Sequence, residues 1–137
     1  MTATPANRIL FYGSLFGLIA IILGAFGTHT LSEMISAKKL ISFQTGLRYQ
    51  FYHAFALLFL GLLQQQNPNA SFKRIANFFI IGTTLFAGSI YLLATRDITH
   101  ISGKFLGPIT PIGGLILIIG WLQLLLKFSG RAPRQKT

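Results

Sequence analysis

The sequence predicts an all-α integral membrane protein: a four-helix bundle with a short amphipathic interfacial helix between the first and second spans, in one domain over residues 1–137. Three observations lead there. Hydrophobic residues make up 52% of the chain and charged residues only 10%, against roughly 25% charged in soluble domains. Four apolar stretches, at about 9–28, 43–63, 75–95 and 105–126, each approach the ~20 residues that cross a hydrocarbon core. The basic residues fall at the ends of these stretches, as membrane topology requires. The net charge of +10 therefore does not point to nucleic acid, for which the cations would have to cluster. With no cysteine, disulfides, thiol catalysis, iron–sulfur clusters and Cys-ligated zinc are excluded.

Taken in order, Met1 to Asn7 is a polar lead containing Pro5, read as disordered. Ile9 to Gly27 carries no charge over 19 residues, longer than the roughly 7–15 residues of a signal-peptide core. It is read as a retained first span. Gly13, Gly17, Ala20, Gly24 and Gly27 form a stripe of small residues that lets another helix approach closely. Thr30-Leu31-Ser32-Glu33 has capping-box spacing, with Thr30 as N-cap and Glu33 at N3. Leu31, Met34, Ile35 and Ile41 then recur near helical period, which predicts the interfacial helix. Gln64 to Asn69 closes the second span in a turn around Pro68. The sequon Asn69-Ala70-Ser71 in that turn carries no weight. The third span follows Lys73 and Arg74 and offers Gly82, Thr83, Thr84, Ala87, Gly88, Ser89 and Tyr91 as small or hydroxylated packing positions. Arg96 to Lys104 reads as a loop. Pro108 and Pro111, among three glycines, predict an irregular entry to the fourth span. Trp121 suits an interface, and residues 127–137 read as a disordered basic tail.

The second span holds most of the chemistry. At 100° per residue, Thr45, Gly46, Arg48, Tyr49, Gln50, Tyr52 and His53 are assigned to one broad inward arc, and Leu47, Phe51, Ala54, Phe55 and Leu58 to the lipid-facing one. Polar groups at membrane depth are costly and normally face a protein interior or a water-filled cavity. The Arg48 guanidinium, effectively always charged, needs acceptors, and Asp97 or Glu33 could supply them. The polar cluster is therefore taken as Gln44, Arg48, Tyr49, Gln50, Tyr52, His53, His29, Asp97 and Thr110. Its leading role is a buried clamp that fixes helix register, with ligand binding as the alternative. Snorkelling of Arg48 to lipid phosphates is a further option.

Four spans put both termini on one side, with Arg8, Lys73, Arg74, Lys127, Arg131, Arg134 and Lys136. Lys38, Lys39, Arg48, Arg96 and Lys104 lie opposite, so the excess of cations favours cytoplasmic termini. The three histidines, both acids and Arg48 all fall in the leaflet away from the termini, and the other half of the bundle reads as nearly pure hydrocarbon. His29 has Glu33 at i+4 and His100 follows Asp97 at i+3, but neither pair has a third ligand at helical spacing, so no metal motif is assigned. Two histidines could ligate a haem, but no attachment motif exists, and no cofactor is assigned.

Several segments resemble one known family. Leu23-Gly24-Ala25-Phe26-Gly27-Thr28-His29 resembles its first signature and Gln44 to His53 its second. Ala87 to Tyr91, and Gly107 to Gly114 with Gly120-Trp121, resemble its third and fourth. The match runs in order from about Arg8 to Leu126, with Thr28, Thr30 and Pro108 as small departures. The family is the bacterial inner-membrane group known as domain of unknown function 423, or UPF0382. The resemblance implies four membrane helices in the inner (cytoplasmic) membrane and no established activity. Three function classes remain. The first is a non-enzymatic structural or accessory component, partnered by the lipid bilayer and by its own copies or a larger membrane complex. The second is a small-solute or ion transporter or channel using the cluster around Arg48, although the first span lacks the carboxylate of four-helix multidrug carriers. The third is a membrane enzyme, ranked last, and a metal- or haem-binding membrane protein is a further alternative. An enzyme is not expected, because no nucleophile–base–acid spacing appears.

Overall fold

The computed structural model describes residues 4–130, and among them every regular element is helical. Four long helices dominate: α1 (Pro5–Phe26), α3 (Ala37–Gln66), α4 (Lys73–Ala94) and α6 (Gly103–Ser129). Two short pieces, α2 (Ser32–Met34) and α5 (Arg96–Thr99), sit in the connections. By length and composition, three segments can cross a membrane: Pro5–Met34, Lys73–Ala94 and Gly103–Ser129. At 30 residues, α3 is the longest element, about 45 Å at 1.5 Å per residue. Its lysines, arginine and glutamines keep it out of that apolar set.

The first helix begins earlier than the charge pattern suggests. Thr4 accepts a hydrogen bond from the Asn7 N–H, and Pro5 occupies the first turn, where a missing N–H costs nothing. Pro5, Ala6 and Asn7 are thus helical rather than a disordered lead; residues 1–3 lie outside the described residues. The other end departs further from expectation. Gly27–Leu31 forms a π-helical turn that continues α1 directly into α2. Thr30 lies inside that turn and makes no side-chain cap, so the expected capping box does not form. The break comes at Ile35, and Ser36 caps α3 by accepting from the Lys39 N–H at 3.4 Å. The segment assigned to a separate interfacial helix is thereby divided between the end of α1 and the first turn of α3. Likewise Arg96–Thr99 is helical rather than open loop, and ends at His100 in the left-handed region at φ 56°. Because α6 starts at Gly103, Pro108 and Pro111 fall inside it rather than in its first turn. Lys127, Phe128 and Ser129 complete α6, and residues 131–137 of the expected tail lie outside the described residues.

The helices pack as two antiparallel hairpins, α1 on α3 and α4 on α6, joined through α3 and α4. Lipid tails are as apolar as leucine, so close van der Waals contact rather than water exclusion holds such helices together. Glycines provide it. A Cβ at Gly13 would lie 3.0 Å from the Ala54 carbonyl, and one at Gly113 would lie 2.5 Å from the Phe86 nitrogen. Gly61 admits Leu10, and Gly120 admits Phe79, in the same way. One apolar cluster, including Ile9, Leu57, Leu60, Ile75, Phe79 and Leu117, fills the half towards the described termini. A smaller one, Leu31, Phe43 and Ala94, fills the other. Large apolar side chains such as Leu18, Ile22, Phe55, Leu122 and Leu125 point outward, the inverse of a water-soluble surface.

Candidate functional site

Between the two apolar clusters lies a polar layer centred on Gln50, which is 5% exposed. Its amide nitrogen donates to the Phe16 carbonyl of α1 at 2.8 Å. Its amide oxygen accepts from the Tyr91 hydroxyl of α4 at 2.7 Å. One side chain on α3 therefore ties three helices together. Gly46 makes the Tyr91 contact accessible, since a Cβ there would lie 2.7 Å from the tyrosine ring. Phe43 packs on the same ring, with centroids 5.0 Å apart.

One turn further along α3, His53 is 3% exposed. The Trp121 indole N–H of α6 donates to its Nε2 at 3.0 Å, and its Nδ1 lies 2.7 Å from the Tyr49 carbonyl. An indole nitrogen can only donate, so Nε2 must be the acceptor and Nδ1 must carry the hydrogen. Hydrogen bonding thus assigns a neutral imidazole with one tautomer. Phe79 meets the ring edge-on at 5.3 Å. With both nitrogens occupied, His53 offers no free lone pair to a metal or a haem.

Two further ties complete the interior. Ser89 on α4 and Thr110 on α6 share a hydrogen bond of 2.6 Å. At the far end Gln64 accepts from the Phe72 N–H at 2.9 Å and donates to the Ala70 carbonyl at 2.7 Å. It thereby satisfies a helix-start N–H and fixes the α3–α4 turn. Lys127 reaches the same turn, donating to the Ser71 carbonyl at 3.0 Å and sitting over the Phe72 ring. Both described chain ends and this turn thus share one face.

The nine sequence-assigned residues do not form one cluster. Gln50 and His53 are interior, and Thr110, half-buried on α6, pairs with Ser89 rather than with either of them. Gln44, Arg48, Tyr49 and Tyr52 are exposed instead of facing inward, with Tyr52 57% accessible. Conversely Ala54, assigned to lipid, is buried. The reason is geometric: Arg48 and Gln50 are two residues apart, about 200° around a helix, and cannot share a face. Arg48 donates to Thr45 Oγ1 at 3.2 Å on its own helix, not to Asp97 or Glu33. Asp97 pairs with Lys39, linking α5 to the start of α3. That hydrogen bond, reinforced by the charges of Lys39, Arg96 and His100, holds the Asp97 carboxyl below its ordinary value. His29 is exposed at the end of α1. Among the described residues no three His, Asp or Glu side chains gather as a metal site.

The sequence reading placed Ser89 and Tyr91 as packing positions without naming their hydrogen-bond partners, and it missed Gln64 and Trp121 as partners. Gln64 and Trp121 also correct the picture of a bare hydrocarbon half: Gln64 orders the turn near the termini, and Trp121 donates a hydrogen bond to His53. A usable signal existed for Gln64, a donor–acceptor amide beside a turn with orphan backbone groups. None existed for Trp121.

Comparison with known proteins agrees with the membrane character of this architecture. Residues 23–114 match the model of a family described as "Protein of unknown function (DUF423)". The UPF0382 inner membrane protein YgdD of Escherichia coli K12 is 36% identical over 117 residues, covering 85% of this chain and 86% of that protein. A UPF0382 membrane protein of Staphylococcus epidermidis is 38% identical over 122 residues, covering 86% and 94%. One from Haemophilus influenzae is 37% identical over 119 residues, covering 86% and 90%. No solved structure matches the chain with significance. The chain belongs to the DUF423, or UPF0382, family of membrane proteins.

Proposed function

We propose that this chain is a non-enzymatic inner-membrane protein whose four long helices all cross the bilayer, with cytoplasmic termini, and that it serves as a structural or accessory component of a larger membrane assembly. One observation carries the reading: the interior amides, imidazole and Ser–Thr pair are spent on helix-to-helix hydrogen bonds. Gln50, His53, Gln64, and Ser89 with Thr110 all find partners within the chain. Groups so engaged hold the helices together. As the second of four spans, α3 lies between α1 and α4, which both have span composition. Its polar interior residues face α1, α4 and, through Trp121, α6, as membrane burial requires.

The outward row Gln44, Arg48 and Tyr52 supports the assembly. It leaves a polar strip on an otherwise apolar surface, where a neighbouring subunit can supply acceptors. Purification in mild detergent under native conditions tests the reading. A defined complex larger than one chain, dissociated by Arg48→Glu, is expected; a monodisperse monomer with no partner contradicts it.

A further inference from the structure

Thr83 is the exception to the spent interior. It is 2% exposed, and its hydroxyl has no hydrogen-bond partner. Hydroxyls elsewhere in these helices bond back to the carbonyl four residues earlier, as Thr45 does to Ile41, Thr84 to Ile80 and Thr95 to Tyr91. A buried unpaired hydroxyl is destabilising, because it has given up its bonds to water and gained none. It calls for an explanation.

Its location supplies one. Thr83 lines a cavity of about 200 Å³ between α1 and α4, together with Phe16, Ile19, Gln50, Gly88 and Tyr91. No charged side chain lines it, so it suits an uncharged molecule. Its size suits a single ring, since a cavity of about 150 Å³ holds benzene. The spare hydrogen-bonding capacity is specific. Gln50 has two amide hydrogens and gives one to Phe16. Tyr91 has already given its hydrogen to Gln50. Two donors are therefore left, one on Gln50 and one on Thr83, whose hydroxyl can also accept. Two donors in an apolar crevice call for a carbonyl oxygen.

We propose that the crevice between α1 and α4 is a binding site for an uncharged, ring-sized lipophilic molecule bearing a carbonyl oxygen, a quinone-type or cyclic-ketone head, which Thr83 and Gln50 hold by hydrogen bonds. Entry is lateral, between α1 and α4, which make little contact with each other. Gly88 keeps the crevice open: a Cβ there would meet nothing within 4 Å. This site goes beyond the accessory role and stands whether or not a partner chain exists.

The test is thermal unfolding of the purified protein in mild detergent, titrated with duroquinone or with durene, the same tetramethylated ring without carbonyls. Ligand affinity follows from the concentration dependence of the midpoint. Duroquinone is expected to bind at least about tenfold more tightly than durene, the worth of one buried hydrogen bond. Thr83→Val, which keeps the volume and removes the hydroxyl, is expected to erase about tenfold of that preference without lowering the unliganded midpoint. Gly88→Leu, which has room for its side chain, is expected to abolish binding of both. Equal affinity for the two rings, no binding of either, or duroquinone binding that survives Gly88→Leu overturns the proposal.

Discussion

Tyr91 on α4 donates its hydroxyl hydrogen to Gln50 on α3 at 2.7 Å, while the same glutamine donates to the Phe16 carbonyl on α1 at 2.8 Å. The relation spans 41 positions in sequence and joins the two helix hairpins at the layer between their apolar clusters. A glutamine suits this place because one planar amide offers a donor and an acceptor on opposite sides. A leucine there would fill the space and satisfy neither neighbour.

Arg48, by contrast, leaves no mark on the fold of a single chain. It is exposed, and its hydrogen-bond partner is Thr45 one turn away. Arg48→Ala is expected to change stability in detergent by no more than about 0.5 kcal/mol. Denaturant titration of the purified variant checks this; a loss of several kcal/mol would restore the arginine to the role of interior clamp.

The glycines should divide into two classes. At Gly113 an added Cβ would strike the Phe86 backbone, which cannot rotate away. Gly113→Ala should therefore separate α6 from α4 and cost about 1–3 kcal/mol or more. Gly17 belongs to the same kind of small-residue pattern, yet nothing lies within 4 Å of its Cβ position. Gly17→Ala should be neutral or stabilising by up to about 1 kcal/mol through helix propensity. Equal effects at the two positions, read as unfolding midpoints, would show that the helix spacing is wrong.

How far the chain could be read without coordinates follows from these cases. Long apolar runs bounded by cations gave away the helices, because the length of a span is set by the bilayer. What the period could not decide was which pole of α3 faces inward, since Arg48 and Tyr52 make one side polar and Gln50 and His53 the other. That choice belongs to Tyr91 and Trp121, distant in sequence, which supply the hydrogen-bond partners. The expected cap at Thr30 failed for a local reason: the π turn at Gly27–Leu31 carries α1 past it, and Ser36 takes the role. The Lys39–Asp97 pair is invisible to helical periodicity, because its members lie 58 positions apart on separate elements.

That pair makes a pH prediction. Asp97 titrates below its ordinary value in the folded chain because Lys39 hydrogen-bonds to its ionised form. A depressed carboxyl stabilises the fold above its unfolded-state pKa and loses that contribution as pH falls through the folded one. The α5 connection should therefore loosen on acidification below the ordinary carboxylate range. Lys39→Gln should move that transition to higher pH, and because Asp97 is exposed, added salt should weaken the tie. Hydrogen exchange of the 95–100 amides against pH reads this directly, and a profile identical in Lys39→Gln contradicts it.

The central claim is that Gln50 and Tyr91 form the polar tie between the hairpins, and a double-mutant cycle measures it. Gln50→Leu, Tyr91→Phe and the double variant would be unfolded in the same detergent. Each single change is expected to cost about 1–3 kcal/mol by orphaning a buried partner. The double variant should cost less than their sum, by a coupling of about 0.5–1.7 kcal/mol, the range of hydrogen bonds between membrane helices. Strict additivity, or a Gln50→Leu variant as stable as the parent, would contradict the account.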